Sequence, residues 1–286
     1  MRIREYRDSD KERMMQLLMM GLTVINEEDQ EFLFCKENKI LVFDLENVGV
    51  VGFCSFGRWG KQKENGKLFL YVGQEYRRRK IGTALHQAIM AYAKPFQLNV
   101  IETVFRIDQN DATEYFSKLG YRKWYGLHVM SYHGGMQPRS NMEIVPYEDR
   151  FYESYVEEIR KSFYEMRQVN DFKPYNCVEF SEKQRKELIQ DKEHLYVLLV
   201  DGKFAASAAV HTELTDVCGP IFVASAYQGK GYGKIITQFV MNEALHRGMK
   251  SITLEVVEWN ERAVNLYKSL GFEIIQTTNS FRLFLK

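Results

Sequence analysis

The stretch "AYQGKGYGKII", residues 226–236, contains three glycines, two lysines and a glutamine. It follows the apolar run "IFVA" (221–224) and leads into a segment with a helical pattern, "KIITQFVMNEALHRG" (234–248). Glycines let a ligand approach the backbone closely, and the free N–H groups and positive end of a helix attract phosphate oxygens. The stretch therefore predicts a phosphate-binding loop, in which Lys230 and Lys234 add positive charge.

Two common nucleotide-binding patterns do not fit this loop. A P-loop requires four residues between its first glycine and the Gly-Lys pair, whereas three residues separate Gly229 from Gly233. The dinucleotide pattern G-x-G-x-x-G, started at Gly229, would require glycine at Lys234. The pattern Q/R-x-x-G-x-G does fit, with Gln228, Gly231 and Gly233 at its fixed positions.

The loop also belongs to one copy of an internal repeat. Tyr227 corresponds to Tyr76 at an offset of 227 − 76 = 151 residues. The same offset aligns "NDATEYFSKLGY" (110–121) with "ERAVNLYKSLGF" (261–272). Because the register runs ungapped from the loop through this second stretch, the chain is predicted to consist of two copies of one domain.

The repeat predicts an N-terminal domain at 1–133, a linker at 134–141 and a C-terminal domain at 142–286. Both copies read as a strand and helix, two strands, the strand before the loop, a helix, a strand, a short helix and final strands. This order indicates an α+β fold with a mixed, mostly antiparallel sheet flanked by helices. Asp201-Gly202 is a type I′ turn pair and predicts a hairpin. The methionine-rich stretch "MMQLLMM" (14–20) is predicted to pack into the core.

The composition excludes several classes of function. The chain has 286 residues, 45% of them hydrophobic, and a formal net charge of +1, so it has no bulk attraction to nucleic acid or to an anionic membrane. Its apolar runs are too short for a membrane span, and its charged start, "MRIREYRDSDKER" (1–13), does not resemble an export signal. Four scattered cysteines without metal-type spacing predict a reduced, cytoplasmic protein that holds no metal.

A second motif lies downstream of the loop, in "LEVVEWNERAVNLYKSLGF" (254–272). The pattern N-x-x-A-x-x-L-Y-x-x-x-G-F is matched by Asn260, Ala263, Leu266, Tyr267, Gly271 and Phe272. With the loop motif before it, the C-terminal half resembles a GNAT-family N-acetyltransferase. The whole chain resembles a tandem GNAT protein, which implies two acyl-CoA N-acyltransferase domains.

The resemblance implies acetyl-CoA as the co-substrate. In the family, the loop amides hold the pyrophosphate of acetyl-CoA, and the pantetheine arm enters a gap between two splayed central strands. The backbone N–H of Val223 would receive the acetyl carbonyl. The residues that the resemblance assigns to acetyl-CoA are Ile221, Phe222, Val223, Gln228, Gly229, Lys230, Gly231, Tyr232, Gly233, Lys234 and Asn260.

Acetyl transfer from a thioester to an amine requires two proton transfers. The amine, with a pKa of ~10 if it is like lysine, must lose a proton. The departing sulfur, whose thiol has a pKa of ~8.5 if it is like cysteine, leaves more easily when protonated. The resemblance assigns the acid to Tyr267, on the short helix beside the acetyl-CoA sulfur. Glu255 is the candidate base, because related ribosomal-protein N-acetyltransferases place a glutamate at this spacing, and strand alternation separates it from Leu254. A core aromatic and a solvated carboxylate are the alternative interpretations of the two residues.

The acceptor is predicted to be a primary amine of a small molecule or a peptide. The aromatic-rich stretch "SFYEMRQVNDFKPYNCVEF" (162–180) lies where the family's acceptor-binding helix and loop usually are. Glu213 and Asp216 precede the central strand and are candidates to attract a cationic amine. A covalent route through Cys218 is the less favoured alternative, because no histidine is placed to activate it.

The first copy lacks the residues that would carry the chemistry. Phe116 corresponds to the predicted acid, because 267 − 116 = 151, and Val104 corresponds to the predicted base. Arg78 and Lys80 stand where the second copy has loop glycines. The first half is therefore predicted to be non-catalytic, to support the second half and to shape the acceptor cleft. Its basic stretch "RRRK" (77–80) is interpreted either as a retained CoA phosphate site or as a solvated turn, and a nucleic-acid patch is the less favoured alternative because four basic residues are a small footprint.

Two other classes of function stay open. One is a non-catalytic acyl-CoA-binding or regulatory module, which the presence of Tyr267 and Glu255 argues against. The other is a tRNA-dependent aminoacyl transferase of the Fem type, also built from tandem GNAT-like domains, which the intact loop at 228–233 argues against. No nucleic-acid or membrane partner is expected, and the chain is predicted to be a monomer or a homodimer.

Overall fold

The computed structural model of the chain describes residues 2–21, 27–176, 181–211 and 217–285. The predictions made for Glu213, Asp216, the side chain of Cys218 and residues 177–180 lie outside the described part. Within the described ranges, no helix has the length and apolar character needed to cross a membrane.

Thirteen strands and nine α-helices are formed by the described residues. The strands are β1 (Arg2–Glu5), β2 (Lys39–Leu45), β3 (Gly49–Trp59), β4 (Asn65–Val72), β5 (Val100–Arg106), β6 (Arg122–Tyr132), β7 (Glu143–Pro146), β8 (Leu195–Val200), β9 (Lys203–His211), β10 (Val217–Cys218), β11 (Phe222–Val223), β12 (Ile252–Val257) and β13 (Glu273–Phe284). The helices are α1 (Lys11–Gly21), α2 (Glu27–Leu33), α3 (Ile81–Ala93), α4 (Ile107–Asn110), α5 (Thr113–Lys118), α6 (Tyr152–Val169), α7 (Glu182–Gln190), α8 (Tyr232–His246) and α9 (Glu261–Ser269).

Several element boundaries follow local signals in the sequence. Asp201 and Gly202 join β8 to β9 with φ angles of 51° and 72°, which confirms the predicted hairpin. α8 begins after Gly231, whose φ of 87° is left-handed. Ser181 caps α7 by accepting a hydrogen bond from the Gln184 N–H.

The methionine-rich helix α1 buries only one of its faces. Met14, Leu17 and Leu18 are buried, whereas Met19 and Met20 are 71% and 70% exposed. The prediction that the whole stretch packs into the core is therefore wrong for Met19 and Met20. A helix against a sheet covers a single stripe of its surface, and these two residues lie on the outward side.

The chain forms two compact units, each discontinuous in sequence. Unit 1 comprises Met1–His128, Val257–Trp259 and Gln276–Lys286, and unit 2 comprises Val129–Val256 and Asn260–Ile275. β6 and β13 thus contribute residues to both units. The domain boundaries predicted from the repeat stay a prediction. They describe the two sequence copies, whereas the compact units are divided at other residues.

Unit 1 has the strand order β1-β2-β3-β4-β5-β13. β4 and β5 are parallel, and the neighbouring pairs are antiparallel. Met14 and Leu18 of α1 pack in the core on one face of this sheet. Leu85 of α3 and Phe281 of β13 pack in a second core on the other face.

Unit 2 has the strand order β12-β10-β9-β8-β7, and β11 pairs with β9. β10 and β12 are parallel, whereas the pairs β7–β8, β8–β9, β9–β10 and β9–β11 are antiparallel. Tyr155 and Val156 of α6 pack with Phe222 in the core of one face. Val240 of α8 and Tyr267 of α9 belong to the core of the other face.

The central parallel strands separate in each unit. In unit 1, Asn65–Lys67 of β4 pairs with Val100–Glu102 of β5, and no pairing is described for the rest of β4 on that side. In unit 2, Val217 pairs with Thr253, and the strand then resumes as β11, for which only pairing with β9 is described. Among the described pairings, the two central strands of each unit are therefore joined at one end only, which is the open arrangement that the resemblance implies for the second half.

Candidate active site

The glycine loop of unit 2 lies at the N-terminus of α8. A 3-10 turn at Ser225–Tyr227 precedes it, and Gly229 and Gly231 have φ angles of 76° and 87°. The N–H groups of Lys234 and Ile235 donate to the Gly231 carbonyl and so close the first helical turn. The amides just before them have no intrahelical acceptor. This is the backbone arrangement that binds anions at a helix N-terminus.

The loop glycines border open space. A β-carbon placed on Gly229 or Gly231 would meet no protein atom within 4 Å. Gly233 is packed more closely, because its β-carbon would lie 3.4 Å from Val223 Cγ2 and 3.7 Å from Leu266 Cδ2. The first two glycines therefore permit a left-handed backbone with room above it, and the third permits close packing of β11, α8 and α9.

Side chains brace the loop from two directions. Gln228 Nε2 donates to the Val223 carbonyl at 3.2 Å, and Arg262 Nη1 donates to Gln228 Oε1 at 3.2 Å. Lys230 Nζ donates to the Ala226 carbonyl at 3.1 Å. Gln228, predicted as an acetyl-CoA residue, is thus held between β11 and the first turn of α9.

Arg262 was not among the residues predicted for the site. Its position brings a cation to the loop from the helix that carries Tyr267. The available signal was the difference between the copies, because Asp111 stands at the corresponding position of the first half (262 − 111 = 151). The charge at this position is therefore reversed between the two copies.

β11 directs one amide into the gap between the strands. The Ala224 N–H donates to the Ala205 carbonyl at 2.8 Å, and Val223 is opposite Ala206 in the antiparallel register. Successive N–H groups of a strand point toward opposite edges. The Val223 N–H therefore points away from β9, toward the edge where no strand partner of β11 is described. An extended ligand arm can pair with such an edge.

Helix α9 places the predicted acid next to the core. Asn260 Oδ1 accepts from the Ala263 N–H at 3.2 Å and so caps the helix, while its predicted contact with acetyl-CoA stays a prediction. Tyr267 is 7% exposed and packs in the core that includes Leu254 of β12. Its ring centroid lies 5.9 Å from that of Phe272.

The predicted base lies on the other face of β12. Leu254 and Val256 are buried on the face that packs with α9, and Glu255 between them is exposed. The strand alternation predicted from the sequence is therefore confirmed. Tyr267 and Glu255 belong to opposite faces of the sheet at β12, one facing the core of α8 and α9 and one facing away from it.

The basic loop of unit 1 keeps the backbone shape of the glycine loop. Arg78 and Lys80 have φ angles of 61° and 60°, so both are left-handed although neither is glycine. A left-handed conformation costs an L-residue roughly 1–2 kcal/mol. These two residues line a cleft of about 350 Å³ together with Gly82 and Tyr115. The Tyr115 hydroxyl is buried with no hydrogen-bond partner among the described residues, and burial raises its pKa.

The counterparts of the predicted acid and base in unit 1 carry no titratable group. Phe116 is 2% exposed and stacks with Phe105 at 5.6 Å between ring centroids. Val104, which lies on β5, is the counterpart of Glu255. Cys54 is a free thiol in the same unit, and burial raises the pKa of Cys54 to about 12, so it is not a thiolate nucleophile at neutral pH.

The comparison with known families agrees with this architecture. The family described as "Acetyltransferase (GNAT) family" matches residues 5–121 and again residues 154–272. The chain therefore belongs to the GNAT acetyltransferase family and carries the family domain twice. The predicted family and the predicted α+β fold are confirmed.

Individual relatives are similar over different shares of the chain. Thialysine N-epsilon-acetyltransferase from Bos taurus is 36% identical over 64 residues, which is 22% of this chain and 38% of that protein. The match thus spans well under half the length of this curated relative.

Solved structures show the tandem arrangement. A GCN5-related N-acetyltransferase from Sphaerobacter thermophilus superposes with a TM-score of 0.66 at 14% identity, covering 100% of this chain and 96% of that one. A tandem GNAT protein from the clavulanic acid biosynthesis pathway gives a TM-score of 0.53 at 14% identity, covering 99% of this chain and 98% of that one. At such identities the likeness establishes the fold.

Proposed function

We propose that the second half of the chain transfers an acetyl group from acetyl-CoA to a primary amine by direct attack. The observation that carries the proposal is the Val223 N–H, which faces an open strand edge beside a phosphate-type loop. A diphosphate suits the loop amides, an extended amide-containing arm suits the edge, and an acyl carbonyl suits the Val223 N–H. Acetyl-CoA combines these three features in one molecule.

In this proposal the acid and the base act from opposite faces of β12. The amine nitrogen attacks the thioester carbon, the C–N bond forms and the C–S bond breaks. Glu255 takes a proton from the amine, and Tyr267 gives a proton to the departing sulfur. Each such transfer typically contributes about 10²–10⁴-fold to the rate. The separation of the two side chains across the sheet leaves one face for the thiol and the other for the amine.

The acceptor is proposed to be an amine on a flexible chain. The name of the bovine relative, thialysine N-epsilon-acetyltransferase, describes transfer to a side-chain amine. In this chain the end of α6 and the segment after it carry aromatic and exposed residues, with the ring centroids of Tyr164 and Tyr175 6.3 Å apart and Val169 78% exposed. A surface of this kind can cover the stem of an aliphatic amine.

The first half is proposed to be a non-catalytic partner. Phe116 and Val104 keep the size of the corresponding groups without a proton to give or a base to accept one. The left-handed Arg78 and Lys80 keep the loop shape, so the loss concerns the chemistry rather than the fold. A non-catalytic acyl-CoA-binding module remains the second candidate only if the second half also shows no acetyl transfer.

The deciding experiment measures CoA release by the full chain across a panel of amines, amino acids, polyamines, aminoglycosides and peptide N-termini. Acetyl-CoA binding in the micromolar range and thiol release with at least one amine are expected. Tyr267→Phe should lower kcat with little change in acetyl-CoA affinity. Glu255→Gln should lower kcat and change the pH dependence of kcat. Glu273→Gln, an exposed carboxylate on β13, is the matched control and should behave as the unaltered protein.

The loop is tested by calorimetry. Gly231→Val combined with Gly233→Val removes left-handed freedom and fills the space next to Val223, so acetyl-CoA binding should fall by at least tenfold. Gly135→Val is the control, because a β-carbon there meets no atom within 4 Å. Undiminished binding by the double variant, or normal turnover by both Tyr267→Phe and Glu255→Gln, would refute the assignment.

A further inference from the structure

The first helix of each copy lies at the same place in the repeat. α1 and α6 each follow a 3-10 turn, and their first residues, Lys11 and Tyr152, differ by 152 − 11 = 141. Glu158 of α6 therefore corresponds to Leu17 of α1, because 158 − 17 = 141. The two copies thus differ by a carboxylate in place of an apolar side chain.

In unit 1 this position makes an apolar contact. Leu17 is 3% exposed, and its Cδ2 lies 3.0 Å from the place where a β-carbon on Gly73 would stand. Gly73 directly precedes the 3-10 turn Gln74–Tyr76, which leads into the basic loop. A buried leucine is therefore sufficient to pack the helix against this junction.

In unit 2 the same position makes hydrogen bonds. Glu158 Oε2 accepts from the Ser225 N–H at 3.0 Å and from the Ser225 hydroxyl at 3.4 Å. One turn earlier on α6, the Tyr155 ring lies 5.3 Å from the ring of Phe222 on β11. α6 therefore holds the chain on both sides of Val223.

If Glu158 only packed the helix, its carboxylate would be less favourable at this position than an apolar side chain. Ser225 lies three residues before Gln228 (228 − 225 = 3), next to a loop whose amides favour an anion. A negative charge there opposes an anionic ligand, and Lys161 Nζ, 3.4 Å from Glu158 Oε1, offsets part of it. What the carboxylate adds over leucine is a strong, directional hold on a backbone N–H.

We propose that Glu158 is a positioning residue for the reaction proposed above, on which this inference rests. By holding the Ser225 N–H, Glu158 fixes the peptide planes after β11 and keeps the Val223 amide directed into the gap. Because α6 itself carries Tyr164, one of the aromatic residues proposed for the acceptor, the contact also ties the acceptor side of unit 2 to the thioester side. Neither sequence motif contains this residue.

Three variants of α6 test the proposal in the full chain. Glu158→Leu installs the residue of the first copy, Glu158→Gln keeps an oxygen acceptor, and Glu157→Gln changes the exposed neighbour that pairs with Lys161. Amide hydrogen exchange of the peptide 223–228 is measured without ligand, and kcat and acetyl-CoA affinity are measured separately. Glu158→Leu should raise exchange at Ser225 and lower kcat, each by about tenfold, with acetyl-CoA affinity changed less than threefold. For Glu158→Gln, the Ser225 exchange rate, kcat and acetyl-CoA affinity should each stay within threefold of the unaltered protein. Glu157→Gln should leave all three unchanged.

A second pair of variants approaches the contact from the other side, in case Glu158→Leu fails to fold. Ser225→Pro removes the N–H donor at the first position of a helical turn, where proline fits, and Ala224 already has the extended conformation that proline requires before it. It should reproduce the loss of kcat, and adding Glu158→Leu should lower kcat no further. Ser225→Ala keeps the N–H and should stay within threefold.

Wild-type kcat and wild-type Ser225 exchange in Glu158→Leu would overturn the proposal. Equal losses of kcat in Glu158→Leu and Glu158→Gln would also overturn it. Glutamine has the size of glutamate and keeps an oxygen acceptor, so the proposal requires it to preserve most of the activity. A protein that binds no acetyl-CoA refutes the proposed function, and with it the role of Glu158 in that reaction. The exchange rate of Ser225 then still shows whether Glu158 holds this backbone.

Discussion

Single residues explain why the two loops have one shape and different sequences. Gly229 and Gly231 adopt left-handed φ angles without steric cost, whereas Arg78 and Lys80 are also left-handed although they carry side chains. The glycine motif was readable from the sequence, because glycine is the residue that such a backbone favours. The left-handed state of Arg78 and Lys80 was not, because L-residues seldom adopt it.

Lys80→Gly is expected to stabilise unit 1 by about 1 kcal/mol, since it removes a side chain from a left-handed position. Urea unfolding of the full chain, followed by a probe in unit 1, measures the change. Arg79→Gly in the same loop is the control, because Arg79 is not left-handed, and it should lower stability by adding freedom to the unfolded chain. A loss of stability in both variants would contradict the explanation.

The start of α1 shows how an element is held at its end by charge. Asp10 is 7% exposed, accepts from Arg4 Nη1 at 2.7 Å and Nη2 at 2.8 Å, and also accepts from the Arg7 N–H at 2.8 Å. The hydrogen bond from Arg4 is the main reason that the pKa of Asp10 lies below its usual value. This contact connects β1 to the turn that begins the helix.

Asp10→Asn is expected to destabilise the protein by about 2 kcal/mol at neutral pH, the size of a hydrogen bond to a charged group. Because the folded pKa of Asp10 is lowered, its contribution is present above the unfolded pKa of about 4 and is lost as the pH falls through the folded pKa. The difference between the variant and the unaltered protein should therefore shrink on acidification. Chemical unfolding at several pH values measures it, with exposed Glu12→Gln as a control expected to change stability by less than about 0.5 kcal/mol. A pH-independent difference would contradict the ion-pair explanation.

The last strand of the chain contributes residues to both units. Thr278–Phe284 of β13 pairs antiparallel with Val100–Arg106 of β5 in unit 1. Phe281 is 2% exposed there, with its ring centroid 5.3 Å from that of Phe105. Residues at the end of the second sequence copy therefore complete the core of the unit built mainly from the first.

Phe281→Ala is expected to destabilise unit 1 by about 3–4 kcal/mol, as truncation of a buried phenylalanine does. Hydrogen exchange should rise in β5, together with a lower urea midpoint. Phe284→Ala, at 60% exposure on the same strand, is the matched control and should change stability by less than about 0.5 kcal/mol. Increased hydrogen exchange confined to the strands of unit 2 would contradict this explanation, which places Phe281 in the core of unit 1.

Features that depend on neighbouring residues could be predicted from the sequence. The glycine loop, the Asp201-Gly202 hairpin and the alternation around Glu255 were predicted, because φ preference and strand period act over a few residues. The repeat was predicted by comparing the chain with itself at a fixed offset. Of α1, the sequence predicted the helix, but it did not predict that Met19 and Met20 face outward. That depends on which stripe the sheet covers.

Contacts between distant residues became apparent in the folded structure. It paired Phe281 with a strand of the first copy, brought Arg262 to Gln228, and set Glu158 against the Ser225 N–H. Glu158 and Ser225 are separated by 225 − 158 = 67 residues, and no periodicity or turn signal specifies such a pairing. These contacts form because packed helices and paired strands bring particular side chains within hydrogen-bonding distance, and that geometry belongs to the assembled sheet rather than to any segment of the chain.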